Sequence, residues 1–211
     1  MTSFEVLVEG SSDVPTIREI LTRRFGMAEG PDFRIHPHHG KGSLPANSLA
    51  RPDPRQKTLL HQLPAKLRGY SHYLGDVCVL VVIDLDNDKS DELLESLQQM
   101  LISLPKRPKR VLFRLAVEET ESWFIADVSA VGLAFPGAKL QRIKGIEPDK
   151  VVGAWEYLAE AIGVSKDKVT GADKTFWATK IAPHLDLNLP RSPSLGELIS
   201  GVEVEIGGNP A

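Results

Sequence analysis

Cysteine is nearly absent from the chain. Cys78 is the single one in 211 residues, so no intrachain disulfide can form, and its place inside an apolar run points to a buried, inert thiol. Redox chemistry finds no support here. Long apolar runs are missing as well: the longest unbroken one, Val77 to Ile83, is far too short to span a bilayer. Met1-Thr2-Ser3-Phe4-Glu5 offers neither a basic leader nor an apolar signal region, so a cytoplasmic protein without membrane association is expected. Aromatic residues make up only 6%, and the three tyrosines, Tyr70, Tyr73 and Tyr157, fall in helical patterns rather than in a separate catalytic segment. A phosphate-binding loop is lacking too. Gly40-Lys41-Gly42-Ser43 bears glycines but has neither the spacing nor the preceding strand. Internal repeats and low-complexity segments do not occur.

What is present suits one globular domain over residues 1–211, with 42% hydrophobic and 25% charged residues and enough chain for one sizeable core. Phe4-Glu5-Val6-Leu7-Val8 reads as a strand that leads into Glu9-Gly10-Ser11-Ser12-Asp13. A helix with Val14, Ile17, Ile20, Leu21 and Phe25 at helical spacing follows. Val77 to Ile83 is apolar throughout, as a strand buried on both faces should be, and turns abruptly acidic at Asp84-Leu85-Asp86. Between them lie a short strand at Phe33 to Ile35, a Gly, Pro, Ser and Asn-rich loop from His38 to Arg55, and a helix from about Thr58 to His72. Leu93, Leu94, Leu97, Leu101 and Leu104 mark the next helix, and Val111 to Val117 the next strand. Helices are expected thereafter over Glu121 to Val131, Asp149 to Ile162, Asp173 to Leu185 and Ser194 to Ile199. This alternation predicts an α/β fold: a largely parallel, Rossmann-like sheet within 1–120, helices on both faces, and a mainly helical completion over 121–211.

In open sheets of this kind ligands bind outside the carboxyl ends of the strands, which is where both acidic clusters fall. Magnesium or manganese suits them, since such ions take one or two carboxylates, several waters and substrate phosphate. Asp84 and Asp86 share a face if the strand continues through them. Glu9 adds a third carboxylate from a neighbouring strand. Asp13, about one helical turn further on, either reaches the same cavity or caps the helix it begins. Glu118 and Glu121, after the strand Val111 to Val117, fall on one helix face and offer a second metal position. Two metals would clamp the attacking and leaving oxygens of a phosphodiester.

Competing readings of the same residues fit less well. Asp84, Asp86, Asp88 and Glu95 coincide with calcium-loop positions of an EF-hand, but Lys89 stands where that loop needs glycine. Asp-x-Asp after an apolar strand also opens haloacid-dehalogenase-type phosphatases, where it belongs on the first strand, not a later one. His36-Pro37-His38-His39 has no second ligand group at zinc spacing.

Net charge is −3, yet it is unevenly spread. Arg34, Lys41, Arg51, Arg55, Lys57, Lys66 and Arg68 face only Asp53 between residues 34 and 72, and five of the six histidines share that stretch. Lys41, Arg51, Arg55 and Lys57 are candidates for binding nucleic-acid phosphates. Lys106, Arg107, Lys109, Arg110 and Arg114 form a second basic group; either run also reads as solvated surface.

The order Val8-Glu9-Gly10, then Asp84-Leu85-Asp86 on a later strand, resembles the TOPRIM domain of topoisomerases, primases and overcoming-lysogenization-defect (OLD) nucleases. The Glu9-x-x-x-Asp13 spacing is closest to the OLD type. Glu118-x-x-Glu121-Ser122-Trp123-Phe124-Ile125-Ala126-Asp127 and Arg191-Ser192-Pro193-Ser194 resemble the TOPRIM-like bacterial family known as domain of unknown function 4276. The resemblance implies a TOPRIM-like sandwich and magnesium- or manganese-dependent phosphoryl transfer on DNA or RNA, with Glu9, Asp84 and Asp86 catalytic. It also implies a charge-stabilising lysine, for which Lys174 is the first candidate and Lys180 the second; a solvated helix lysine is the plain alternative. Relatives resemble partners of ATPases in defence against phage. With no second domain for a catalytic tyrosine or nucleotide selection, a nuclease is expected, against a non-catalytic nucleic-acid- or ATPase-binding subunit.

Overall fold

A computed structural model describes residues 2–207. Four parallel strands, β1 (Ser3–Val8), β2 (Phe33–Pro37), β3 (Val77–Asp84) and β4 (Arg110–Ala116), form one sheet in the order β2-β1-β3-β4. Their connections are helical: α1 (Asp13–Glu19), α2 (Leu59–Tyr70) and α3 (Ser90–Ser103). The chain then continues through α4 (Glu121–Ala126), α5 (Val128–Ala134), α6 (Ala154–Ile162), α7 (Gly171–Ile181) and α8 (Pro193–Gly207). This is a Rossmann-like α/β fold with a helical C-terminal part.

The period-2 alternation of the central strands sorts their side chains between two cores. Phe4, Val6 and Val8 of β1, with Cys78, Leu80 and Val82 of β3, pack against α1 and the C-terminal helices through Ile17, Trp123, Leu158, Trp177 and Leu198. Leu7, Val79, Val81 and Ile83 face the other way, onto Leu59, Leu63 and Leu67 of α2 and Leu97 and Met100 of α3. Covering both faces is what a parallel sheet requires, and it explains the unbroken apolar run of β3. Among the described residues no helix is long and apolar enough to cross a membrane.

The C-terminal helices differ from the sequence reading where polar side chains interrupt them. The stretch Glu121 to Val131 is two helices, because Asp127 ends α4 and caps α5. Its Oδ1 accepts from Ala130 N at 3.1 Å and from Ser129 Oγ at 2.6 Å, while Oδ2 accepts from Asp186 N at 2.9 Å. These donors outweigh burial and hold the Asp127 carboxyl below its usual range. Asp149 to Ile162 is broken as well: Gly153, at φ 81°, separates a single turn over Pro148–Lys150 from α6. The late Arg191-Ser192-Pro193-Ser194 run starts α8. Ser192 Oγ and Ser194 N both donate to Asp149, at 2.8 and 2.7 Å, and Trp123 Nε1 donates to Ser194 Oγ at 2.9 Å.

Candidate functional site

The parallel register brings the carboxyl ends of β1, β3 and β4 side by side, with Leu7 beside Val81 and Asp84 beside Ala116. Acidic residues follow each strand. Glu9 is buried, and its Oε1 accepts from the backbone N–H of Asp84 at 2.9 Å. Desolvation raises its pKa to about 8, helped by Asp86 and Asp13 and opposed by that N–H and by Lys41.

Asp13 is 4% exposed and does not cap α1. Its carboxylate turns back over the β1–α1 turn, taking Gly10 N at 2.9 Å and Thr120 Oγ1 at 3.2 Å, so it faces the end of β4. Burial raises its pKa. Asp84 keeps some surface at its rim while lying at the dense floor of the crevice. Its pKa is raised well above the normal range, first by desolvation and then by Asp13, Glu9, Glu121 and Glu119. Glu121, 3% exposed at the start of α4, is raised mainly by burial. Five carboxylates from three strand ends thus press on one another.

Lys174 is their principal counter-charge. It reaches out of the first turns of α7, whose entry is fixed by a reciprocal cap between Thr170 and Asp173. Its Nζ lies 3.0 Å from Glu119 Oε2 and 3.7 Å from Glu121 Oε1. Burial works against its charge, but Glu121 and Glu119 outweigh burial and raise its pKa. Glu119 was not among the residues singled out from sequence. Burial and Glu121 push its carboxyl up to about 7. Lys180 instead lies over the Phe176 ring, 5.7 Å from its centroid.

Asp86 and Glu118 are placed otherwise than the sequence spacing suggests. The strand does not continue through Asp86: β3 ends at Asp84, and Asp86 turns into the left-handed region at φ 48°. Its Oδ2 meets Lys41 Nζ at 2.7 Å, and Asp88 Oδ2 meets the same ammonium at 2.9 Å. Lys41 also donates to the carbonyls of Asp84 and Leu85, at 2.9 and 3.0 Å, so it fastens the long loop to the end of β3. Glu118 sits at φ 66°, which reverses the turn and aims its carboxylate at α6. There it accepts Gly153 N at 2.7 Å and Ala154 N at 2.9 Å, the orphan donors of a helix N-terminus. Glu118 and Glu121 therefore do not share a helix face, since α4 begins only at Glu121. Glu118→Ala is expected to destabilise the protein by ~2 kcal/mol through loss of two charge-assisted bonds, with manganese stoichiometry unchanged. Thermal melts and metal titration of that variant check both parts.

The basic stretch divides by occupation. Arg34 and His36 are engaged by the buried Glu5, at 3.4 and 2.5 Å. Arg68 holds the carbonyls of Ser48 and Ala50. Arg51, Arg55 and Lys57 remain exposed. Arg55 and Lys57 line a cavity of about 420 Å³ with His39, Ser43 and Thr58, and the same loop reaches the acidic crevice where Gly40 N donates to Glu9 O at 2.8 Å. Of the second basic group, Lys106, Arg107, Lys109 and Arg110 precede or open β4 and so lie toward the other end of the sheet, roughly 20 Å from the carboxylates, whereas Arg114 falls two residues before the end of β4. Arg110 pairs with Asp76 and Glu205, and Arg114 is turned to α8, where it donates to Glu197 O at 2.8 Å.

Hard carboxylate oxygens gathered by Asp84, Glu9, Asp13 and Glu121 are the donor set that magnesium or manganese takes, and burial of like charges favours a cation among them. The residues fit such an ion in kind. They are not drawn together around one point: among the described residues no three His, Cys, Asp or Glu side chains stand in ligating positions. Lysine and backbone donors hold several of them instead.

Fold and site together define a parallel α/β protein with a carboxylate-and-lysine crevice at the carboxyl edge of its sheet. Residues 8–203 match the model of the family described as Domain of unknown function (DUF4276), and the chain belongs to that family. No curated protein and no solved structure matches it.

Proposed function

We propose that the protein is a magnesium- or manganese-dependent phosphoryl-transfer enzyme, a nuclease acting on DNA or RNA phosphodiesters. The observation that carries this reading is the gathering of Glu9, Asp13, Asp84, Glu119 and Glu121 at the adjacent carboxyl ends of β1, β3 and β4, tied by Glu9 to the Asp84 N–H, by Asp13 to Thr120 and by Lys174 to Glu119 and Glu121. Asp84, Glu9, Asp13 and Glu121 would hold the ion, which supplies Lewis-acid stabilisation of phosphate oxygens and an activated water. Lys174, within salt-bridge reach of Glu119 and Glu121, is placed to meet negative charge developing on a phosphate at the crevice. Thr120 and the Gly10 N–H hold Asp13 and the Asp84 N–H holds Glu9 at the strand ends, and an ion would draw their free oxygens together. Asp86, released from Lys41, would be an outer member of the set. The order of these residues is also that of the TOPRIM domain of OLD-type nucleases, which supports the same chemistry by resemblance.

The exposed Arg51, Arg55 and Lys57 are the residues we assign to the nucleic-acid backbone. Replacing all three with Ala is expected to reduce the log–log salt slope of binding by roughly 2–3, at about 0.7–0.9 per phosphate contact. An unchanged slope would reduce that patch to ordinary surface. The enzyme is expected to act weakly alone and better with an ATPase partner. Incubation of the purified protein with labelled DNA and RNA in manganese, with and without the product of a neighbouring gene, tests the assignment. Intact nucleic acid in every condition would favour a non-catalytic nucleic-acid- or ATPase-binding subunit. The direct pairing of Lys41 with Asp86 and of Lys174 with Glu119 is the feature that favours this second reading, because both cations already neutralise part of the acidic crevice.

A further inference from the structure

Of the three tryptophans, Trp123 and Trp177 are 1% and 2% exposed, whereas Trp155 keeps part of its indole open to solvent. Its place is unusual. Trp155 lies in the first turn of α6, with the Lys174 ammonium over its ring at 5.3 Å from the centroid. That ammonium is the one that pairs with Glu119 and Glu121, so a single side chain separates the indole from the carboxylate crevice.

The position is held by a strained residue. Glu118 adopts φ 66°, a region unfavourable outside glycine, and its carboxylate binds the two N–H groups that begin α6. Gly153, also left-handed, admits the approach. A helix start pinned at both N–H groups by the residue just after β4 cannot fray away from the crevice. Strain of this kind persists where the surroundings over-determine it, and here its product is a fixed, partly open indole beside Lys174.

We propose that Trp155 is a stacking platform for one base of a single-stranded nucleic acid, with Glu118 as its positioning residue. This rests on the nucleic-acid reading above and narrows it. In a duplex both faces of each base are already covered by neighbours, so an indole at the rim offers nothing without unstacking. A single strand presents free π-faces, and stacking on an aromatic side chain is tolerant of sequence. Lys174 takes one face of the indole and lies between it and the carboxylates, so the base stacks on the opposite face.

The test is fluorescence anisotropy with labelled twelve-nucleotide single strands, DNA and RNA, and the matching duplex, on Asp84→Asn protein that cannot cut them. Adding Trp155→Ala is expected to weaken single-strand binding by about 5- to 150-fold, the range of one lost stack. Adding Trp155→Phe keeps an aromatic face and should stay within about 3-fold of the parent, which separates stacking from a folding defect. Duplex affinity should not move. Unchanged single-strand binding by Trp155→Ala, or equal losses for single strand and duplex, overturns the platform. Where wild-type protein cuts nucleic acid and Trp155→Ala alters neither binding nor cutting, the platform fails alone. Where single strands bind through Trp155 but wild-type protein never cuts, the platform stands and the nuclease reading falls. Absence of any oligonucleotide binding overturns both.

Discussion

Asp84→Asn will remove manganese-dependent cleavage by at least ~1,000-fold and, in the same protein without metal, raise the melting temperature. Both effects follow from one placement. Asp84 lies on the floor of the crevice, where burial and four neighbouring carboxylates oppose its charge. Asparagine has nearly the same shape and removes the charge, so metal-free protein is relieved of repulsion amounting to about 1–3 kcal/mol. In a domain of this size each kcal/mol moves the midpoint by about 2–4 °C. The same change removes the central donor for a cation, and a site that loses its metal loses the water activation and charge stabilisation the metal supplies. A variant that is both more stable and inactive would distinguish a functional carboxylate from a structural one. Were Asp84→Asn instead less stable and equally active, its role would be packing.

Metal-free wild-type protein will lose stability as pH rises from about 5 to 8, opposite to the usual behaviour of carboxylates. Glu9 has a folded-state pKa of about 8, above its ordinary 4.5, and Glu119 is raised to about 7. Each is protonated in the fold where the unfolded chain has already ionised. Their contribution is therefore fully present below about pH 4.5 and lost as pH rises through 7 and 8. The loss is on the order of 2–4 kcal/mol across that window, given about 1.4 kcal/mol per pKa unit and relaxation of the crevice. Glu9→Gln keeps an oxygen to accept the Asp84 N–H and should flatten most of the decline. Saturating magnesium or manganese should reverse it, since the ion binds the ionised form. Thermal melts from pH 5 to 8.5, with and without metal, read all three outcomes. A decline that survives in Glu9→Gln at full size would show that Glu9 does not carry it.

Much of this site was legible because strand ends are legible. The apolar run of β3 and its abrupt acidic end located Asp84, and the strand-then-Glu9-Gly10 pattern located Glu9 on its neighbour. Asp13 was readable only as an alternative, because an aspartate before a helix usually caps it. The structure has the carboxylate folded back onto Gly10 N and Thr120 instead. The errors came from backbone turns that periodicity does not encode. Left-handed conformations at Asp86 and Glu118 rotate both side chains away from where strand or helix spacing put them. Glu119, skipped by a helical reading of Glu118 and Glu121, ends up facing Lys174. Contacts between distant segments were equally hidden: nothing near Lys41 in sequence says that it meets Asp86 and Asp88, and nothing near Trp155 says that Lys174 lies over one face of its ring.

Calorimetric titration of the wild-type protein with manganese at pH 7, repeated in buffers of different ionisation enthalpy, addresses the carboxylate centre most directly. Saturable binding should come with net proton release, visible as a heat that changes with the buffer, because Glu9 with a pKa of about 8 must give up its proton to face a cation. Asp84→Asn should abolish the saturable heat. Absence of saturable binding in the wild type, or binding that Asp84→Asn leaves at full affinity, would contradict a metal-dependent centre at the carboxyl ends of β1, β3 and β4.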